Sequence, residues 1–291
     1  MVNLRKHGKV IENANLKAYN TYRVDSTCQY LVFPEDTSKL QALVTELDNS
    51  NYKYKILGNG SNIIFSQKHY KCIFIKTSLL HKISFNENIV TAEAGVLLPV
   101  LVQGCIKKNF TGLEFASGIP GTIGGAIIGN AGAYNECIFD YVQDITVIDS
   151  NYKIKTLSKE KIEYSYRHTS LKDKNYVILS ANLTLKNGDI TTSKELIRER
   201  TQKRKDTQPL EYPSAGSVFR NPENNFAGKL IEDCGLKGKS IGGAQISEKH
   251  ANFIINTGNA SGEDICELIE LIKNTVLKQT GIELVLEQEI I

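Results

Sequence analysis

The stretch Ser117-Gly-Ile-Pro-Gly-Thr-Ile-Gly-Gly-Ala-Ile-Ile-Gly-Asn-Ala-Gly-Ala-Tyr134 constrains this chain more than any other. Glycine recurs at 118, 121, 124, 125, 129 and 132, and almost no charge interrupts it. Without a Cβ, a backbone can turn its N–H groups outward and approach a bulky anion closely. Ile119, Ile123, Ile127 and Ile128 are interleaved with these glycines, which places the stretch in a core rather than in solvent. For any single glycine, a buried turn without a ligand satisfies the composition equally well. A second loop, Leu57-Gly-Asn-Gly-Ser-Asn-Ile63, follows an apolar run and leads into Ile64-Phe65. Two such loops at strand ends point to a large phosphate-bearing ligand gripped at more than one place.

An ordered set of further motifs makes the pattern specific. Tyr166-Arg167 comes first, then Gln208-Pro209 and Pro213-Ser-Ala-Gly-Ser-Val-Phe-Arg-Asn-Pro222. Ala227-Gly-Lys-Leu-Ile231, Gly235-Leu-Lys-Gly238, Ser247-Glu-Lys-His-Ala-Asn-Phe253 and Gly281–Glu287 follow. With the two glycine loops, this set resembles the UDP-N-acetylenolpyruvoylglucosamine reductases (UDP-N-acetylmuramate dehydrogenases) from about Asn20 to the C-terminus. Those are FAD enzymes of the vanillyl-alcohol-oxidase-like superfamily. The resemblance implies an α+β fold with a two-part FAD-binding region of the vanillyl-alcohol-oxidase/PCMH type and a C-terminal α+β substrate-binding domain. Asn20-Thr21-Tyr22-Arg23-Val24 resembles the family's opening motif, but Asp25 and Ser26 stand where two glycines are usual. Gln288 likewise replaces a usual apolar residue.

At 291 residues the chain can form two or three domains with real cores. A net charge of +3 is too small to argue for nucleic acid and suits anionic small substrates. Cys28, Cys72, Cys105, Cys137, Cys234 and Cys266 lie far apart without metal-ligand spacing, so they read as reduced, mostly buried thiols. Charges at Arg5, Lys6, Lys9 and Glu12 leave no signal-peptide core, and no apolar run could span a bilayer. A cytoplasmic protein is expected. Nothing in the residues predicts an oligomer.

Periodicity divides the chain into three expected parts: 1–75, 76–190 and 191–291. In the first, Gln29–Phe33 reads as a strand and Asp36, Thr37 and Ser38 offer helix caps. Leu40, Leu43, Val44 and Leu47 then fall at helical spacing, and strands return at Tyr52–Leu57 and Cys72–Lys76. In the second, Ile89–Ala94 is a strand and Leu97–Lys108 a helix with Pro99 near its first turn. Val142–Asp149 and Tyr152–Leu157 form a hairpin, and Tyr176–Leu185 a strand closed by a turn at Lys186–Asp189. A helix at Thr192–Lys205 leads into the third part. There a helix at Asn225–Cys234, a buried strand at Ala251–Asn256, and a helix capped by Ser261 and stopped by Gly281 are expected. The alternation of Ile282, Leu284 and Leu286 with Glu283, Val285 and Glu287 predicts a half-buried strand.

The resemblance implies a chemistry. Reducing an enol ether conjugated to a carboxylate needs a hydride at the β-carbon, a held carboxylate and a proton at the α-carbon. FAD would supply the hydride after taking it from NADPH. By resemblance Ser217 is the proton donor, although a turn serine bonding its own backbone fits the same residues. Arg167 matches the arginine that stabilises the enol intermediate, and its fixed fork suits a carboxylate gaining charge. Alternation puts Glu283, Glu287 and Glu289 on one face, and the resemblance selects Glu287. As a carboxylate it would repel the substrate, so it acts protonated or pairs with Arg167.

For the cofactor, the resemblance implicates Leu57, Gly58, Asn59, Gly60, Ser61, Asn62 and Ile63 of the first loop. From the second it implicates Ile119, Pro120, Gly121, Thr122, Gly124, Gly125, Asn130, Ala131 and Gly132. No histidine lies in either loop, so FAD is expected to be noncovalent. Lys205, Arg220, Asn221 and His250 are expected near the sugar nucleotide. His250 reads equally well as a cap on the strand that follows it.

The interval from Arg167 to Ser217 is filled mostly by one strand and one helix, leaving no room for the βαββ-type insertion with a clamping tyrosine found in one branch of the family. The shorter, type II form is expected. An alcohol-oxidising relative of the same superfamily would share both loops but not Arg167, Ser217 and Glu287 in order. An RNA-binding module using Arg198–Lys205 would need interleaved aromatics, and a P-loop would need Gly-Lys-Ser/Thr; both are missing.

Overall fold

The long apolar run near Tyr176 becomes the central strand of the larger sheet. In the computed structural model, which describes residues 2–291, this strand is Val177–Thr184. It pairs antiparallel with Val142–Ile148 on one side and Ile89–Glu93 on the other. Ile154–Ser158 and Ile83–Asn86 complete the five strands at the two edges. The expected hairpin turn at Ser150-Asn151 is present. Asp149 Oδ1 accepts the N–H groups of Asn151 and Lys153, each at 2.9 Å. Helix Leu98–Lys107 carries Pro99 in its first turn, where no N–H is needed. Its Leu101, Val102 and Cys105 enter one core with Phe115, Phe139, Ile145 and Leu183.

A second sheet has the order Gly8–Asn15, Thr27–Pro34, His69–Lys76, Tyr54–Leu57, the last two parallel. Helix Thr37–Asn49 starts where the cap pattern predicts: Asp36 accepts the N–H of Lys39 at 2.8 Å. Its Leu40, Leu43, Val44 and Leu47 pack with Ile73, Ile75, Ile148 and Val177.

By its internal contacts the chain divides into two interleaved units. The first takes the N-terminal residues up to Glu12, Tyr30–Asn59 and Cys72–Gln202. The second takes Asn13–Gln29, Gly60–Lys71 and Lys203–Ile291. In the second, helix Gly262–Thr280 lays Ile265, Leu268, Ile269, Ile272 and Val276 into a core. That core also holds Leu230 and Ile231 of helix Ala227–Asp233, and Tyr22, Val24 and Ile64 from far earlier in the sequence. A three-stranded sheet, Ser240–Ile241, Ala244–Ile246 and Ile254–Asn256, completes the unit.

Both ends of the long helix follow the sequence signals. Ser261 Oγ accepts the N–H of Asp264 at 3.0 Å, and the Asp264 carboxylate accepts the N–H of Ser261 at 2.9 Å. The N–H groups of Ser261 and Gly243, both donating to the carboxylate, hold the Asp264 carboxyl below its usual range. Ser261→Ala is expected to cost about 1 kcal/mol in urea unfolding of this unit. A midpoint indistinguishable from wild type would show the cap to be redundant.

Some expected elements differ. The Lys186–Asp189 turn is instead a short strand, Lys186–Asn187, paired with Phe110–Thr111, and the following helix starts early, spanning Ile190–Thr207. The buried strand near Ala251 begins only at Ile254, because the preceding residues form the turn that carries the half-buried His250. Residues 282–287 keep their alternation, Leu284 buried between exposed Glu283 and Val285, but their pairing is an isolated bridge between Phe219 and Leu286. Their neighbour is the irregular 217–220 loop, which cannot sustain a ladder. The strand proper is Glu289–Ile290, parallel to Ile63–Ile64. From Arg167 to Ser217 the chain forms His168–Thr169, one helical turn at Ser170–Asp173, Val177–Thr184, Lys186–Asn187 and Ile190–Thr207, without a further βαββ unit. None of the six cysteines is in a disulfide, and only Cys28 and Cys105 are buried, the other four being partly exposed, so fewer are buried than expected. No helix among the described residues is long and apolar enough to cross a membrane.

Candidate active site

In the first unit the two glycine loops meet. Asn59 Nδ2 donates to the Pro120 carbonyl at 2.6 Å. Gly58 lies so close to Thr122 that a Cβ there would sit 2.7 Å from Oγ1, so only glycine fits. Leu57 ends strand Tyr54–Leu57 and is buried. The second loop is zipped to the segment after strand Ile89–Glu93: Gly121 accepts from Leu98 N, while Ile123 and Gly124 donate to Val96 and Ala94. Thr122 then caps helix Ile123–Ile128 by accepting from Gly125 N at 3.4 Å. Ile119 and Ala131 pack on the core. Left over are the N–H groups of Gly58, Asn59, Gly118, Gly121 and Thr122, which meet no acceptor among the described residues.

Lys76 lies beneath this loop, 7% exposed, with its Nζ on the Gly58 carbonyl. No carboxylate among the described residues is within ion-pair distance, and burial pushes its pKa down to about 8. A buried ammonium without a counter-charge, beside free N–H donors, fits an anionic diphosphate. The donor set therefore suits FAD. Sequence reasoning missed Lys76, because a lysine ending an apolar strand looks like a solvent-facing residue.

The far end of the glycine stretch holds Arg167. Tyr164–Ser165 and His168–Thr169 form a hairpin whose two-residue turn is Tyr166-Arg167. Asn130 Nδ2 donates to the Ser165 carbonyl at 2.9 Å, Thr169 Oγ1 to Ile128 at 2.9 Å, and Arg167 Nη2 to Gly132 at 2.6 Å. The guanidinium lies 4.9 Å from the Tyr166 ring centre. Arg167 has φ 58°, a left-handed conformation that costs about 1–3 kcal/mol in a non-glycine residue and persists only where the surroundings impose it. Asn130, expected at the cofactor, is buried with its amide on this hairpin.

The second unit presents the segment Ala215–Phe219 as an irregular loop. Gly216 has φ 77°, which permits the tight curl before Ser217. Asn252 holds the exit: its carbonyl accepts from Val218 N, its Oδ1 accepts from Phe219 N, and its Nδ2 donates to the Phe219 carbonyl at 2.8 Å. Val218 in turn accepts from Glu287 N at 2.9 Å, so Ser217 and Glu287 lie on neighbouring strands of chain. The Ser217 side chain is half-buried and makes no hydrogen bond within the described protein. Asn62 Nδ2 donates to the Glu287 carbonyl at 3.0 Å, and the Gly60 carbonyl accepts from Thr21 N. Ser61 is half-buried beside them, and Ile63 pairs with Glu289.

Arg220 follows the Ser217 loop. Its backbone N–H donates to Val285, while its buried Nε has no acceptor among the described residues. An orphan guanidinium donor of this kind fits an anionic ligand. Asn221 Oδ1 accepts from Ala227 N, and Lys205 is exposed near the end of its helix. The Nδ1 of His250 accepts from Asn252 N at 3.3 Å, so Nε2 carries the proton of the neutral ring. Burial pushes its pKa below the ordinary histidine value. Asn252 was also missed, since an asparagine two places from the chosen histidine carries no chemical signal.

Comparison with known proteins agrees with this geometry. A family model described as the C-terminal domain of UDP-N-acetylenolpyruvoylglucosamine reductase matches residues 208–291, and one described as an FAD binding domain matches 28–158. The UDP-N-acetylenolpyruvoylglucosamine reductase of Caldanaerobacter subterraneus subsp. tengcongensis is 41% identical over 286 residues, 98% of this chain and 95% of the relative. The chain belongs to the UDP-N-acetylenolpyruvoylglucosamine reductase family. The Clostridium novyi reductase is likewise 41% identical over 97% of this chain and 92% of its own length. The crystal structure of the Thermus caldophilus reductase superposes with a TM-score of 0.81 at 29% identity, covering 97% of this chain and 98% of that one. A glucose oxidase, Phl p 4, shares the fold alone, with a TM-score of 0.51 and 12% identity over 64% of this chain and 44% of its own. As a UDP-N-acetylenolpyruvoylglucosamine reductase family member, the chain is an FAD-dependent oxidoreductase with an α+β fold.

Proposed function

We propose that the chain reduces UDP-N-acetylglucosamine enolpyruvate to UDP-N-acetylmuramate for peptidoglycan, with NADPH as reductant, in the cytoplasm. Family membership over nearly the whole chain carries the reading. Residues 1–75 and 76–190 form the two parts of the FAD-binding region, and 191–291 the substrate-binding part. The short interval between Arg167 and Ser217 supports the type II form. Bound noncovalently, FAD would supply the two-electron hydride chemistry that links the nicotinamide to the enol ether. Gly58, Asn59, Gly121 and Thr122 would hold its diphosphate through their N–H groups, with the buried Lys76 ammonium as counter-charge. Arg167 binds the substrate carboxylate and stabilises its developing negative charge. The Ser217 hydroxyl delivers the proton to the α-carbon. Glu287 serves at the reacting centre either protonated or paired with a cation, because an unpaired carboxylate there would repel the substrate. Arg220, Asn221, Lys205 and His250 bind the sugar nucleotide, Arg220 through its unpaired Nε.

Anaerobic stopped-flow absorbance tests this directly. NADPH should bleach the bound cofactor, and the enolpyruvyl sugar nucleotide should restore its colour. A protein bleached by NADPH but never restored by this substrate would keep the fold and lose the reaction.

Lys76→Met is expected to weaken FAD at least about tenfold, read by titrating FAD fluorescence. In the wild type, affinity should fall as pH rises through about 8, where the free protein's ammonium deprotonates. Stability of the FAD-free protein should move the other way. Between about 8 and 10.5 the unfolded chain binds more protons at Lys76, so unfolding becomes harder as pH rises. Equal FAD affinities for Lys76→Met and wild type across this range would remove Lys76 from the cofactor site.

A further inference from the structure

Gln288 stands where the family usually has an apolar residue, and it is 4% exposed. A lone buried amide would be costly, yet every polar atom of this one is engaged. Its Nε2 lies 3.0, 3.1 and 3.3 Å from the carbonyl oxygens of Ala215, Gly216 and Ser217. Its Oε1 accepts from the Tyr22 hydroxyl at 2.9 Å. Chemistry fixes this orientation of the amide. Carbonyls cannot donate, so the NH2 must face them, and the hydroxyl then has to donate to the oxygen. Tyr22 is fully buried, its backbone carbonyl accepts from Asn256 Nδ2 at 2.8 Å, and burial pushes its hydroxyl pKa well up, so it stays a donor.

Three successive carbonyls gathered on one amide is an unusual backbone shape. Parallel C=O dipoles repel, and the curl at Gly216 that gathers them requires a positive φ. The two hydrogens of the amide, shared among three oxygens, offset that repulsion. In the same loop, Ser217 Oγ has no hydrogen-bond partner among the described residues. The backbone therefore fixes where the Ser217 Cβ sits, and with it the arc that Oγ can reach.

We propose that Gln288 is a positioning residue: with Tyr22 behind it, it clamps the 215–217 carbonyls and so aims the Ser217 hydroxyl. This rests on Ser217 being the proton donor. Gln288 touches no reacting atom, and its removal should spare cofactor reduction while misplacing the proton.

The test uses the FAD-loaded enzyme and its two half-reactions, followed anaerobically in H2O and D2O. Gln288→Val leaves the Tyr22 hydroxyl orphaned and is expected to lower Tm, so the decisive variant is Tyr22→Phe/Gln288→Val, which makes the pair apolar. The double variant no longer orphans the Tyr22 hydroxyl, but its 215–217 carbonyls lose their donor, so it should melt below wild type and above Gln288→Val while keeping wild-type bleaching by NADPH. Its reoxidation by UDP-N-acetylglucosamine enolpyruvate should be slowed about tenfold to a hundredfold, with KM within threefold and a larger solvent isotope effect. Reoxidation at the wild-type rate, or with an unchanged isotope effect, would overturn the proposal. Ser217→Ala in parallel separates the two ideas. If it is slow while the double variant is fast, Gln288 fails and Ser217 stands; if Ser217→Ala itself reoxidises normally, the proton donor is misassigned and the positioning role falls with it.

Discussion

Ser217→Ala should fold, bind FAD and bleach with NADPH as the wild type does, yet lose about 10³- to 10⁴-fold in reoxidation by the enolpyruvyl sugar nucleotide. The expected split follows from how the loop is held. Every bond that shapes it uses main-chain atoms of residues 215–219 or the side chains of Gln288 and Asn252. The serine side chain contributes none, so its removal should change stability by less than about 0.5 kcal/mol. A serine that merely closed a turn would show the opposite: lower stability and an intact rate. Stopped-flow absorbance and thermal unfolding on the same preparation distinguish the two, and a loss below tenfold at wild-type Tm would end the assignment.

Arg167→Lys should cost about 10²- to 10³-fold in the same half-reaction, despite conserving charge. A lysine is a point charge on a flexible stem and cannot offer the planar fork that holds both oxygens of a carboxylate. The backbone supplies an independent check. Arg167 sits at φ 58°, where asparagine is tolerated better than most residues. Arg167→Asn should therefore recover part of the strain, partly cancelling the lost bond to Gly132, and unfold within about 1 kcal/mol of wild type. Activity should nonetheless disappear. A strained residue whose relief spares stability and abolishes the reaction is held in place for function. Reoxidation within threefold of wild type in either variant would make Arg167 structural.

Local elements were legible because their causes are local. Asp36 and Ser261 sit beside the N–H groups they cap, Gly281 takes the left-handed conformation that ends its helix, and the 40–47 and 265–276 periodicities mark faces that are buried. Where the partner was remote or irregular, the reading slipped. Nothing at 282–287 reveals that its neighbour is the curled 217–220 loop, which turns a patterned segment into an isolated bridge. Lys186–Asn187 gained its strand only because Phe110–Thr111 lies beside it.

The sequence by itself determined the family and the cofactor class and nominated Arg167, Ser217 and Glu287, since these rest on residue types in a fixed order. Tertiary structure alone decided what holds them. It folded Tyr22 and Ile64 into a core with the C-terminal helix, stacked Asn130 against the Arg167 hairpin, buried Lys76 under Gly58, and set Gln288 behind Ser217. Each of those arrangements is a hydrogen bond or packing contact between residues tens to hundreds of positions apart. Burial gives such contacts their strength, and burial belongs to the folded chain as a whole, not to any stretch of it.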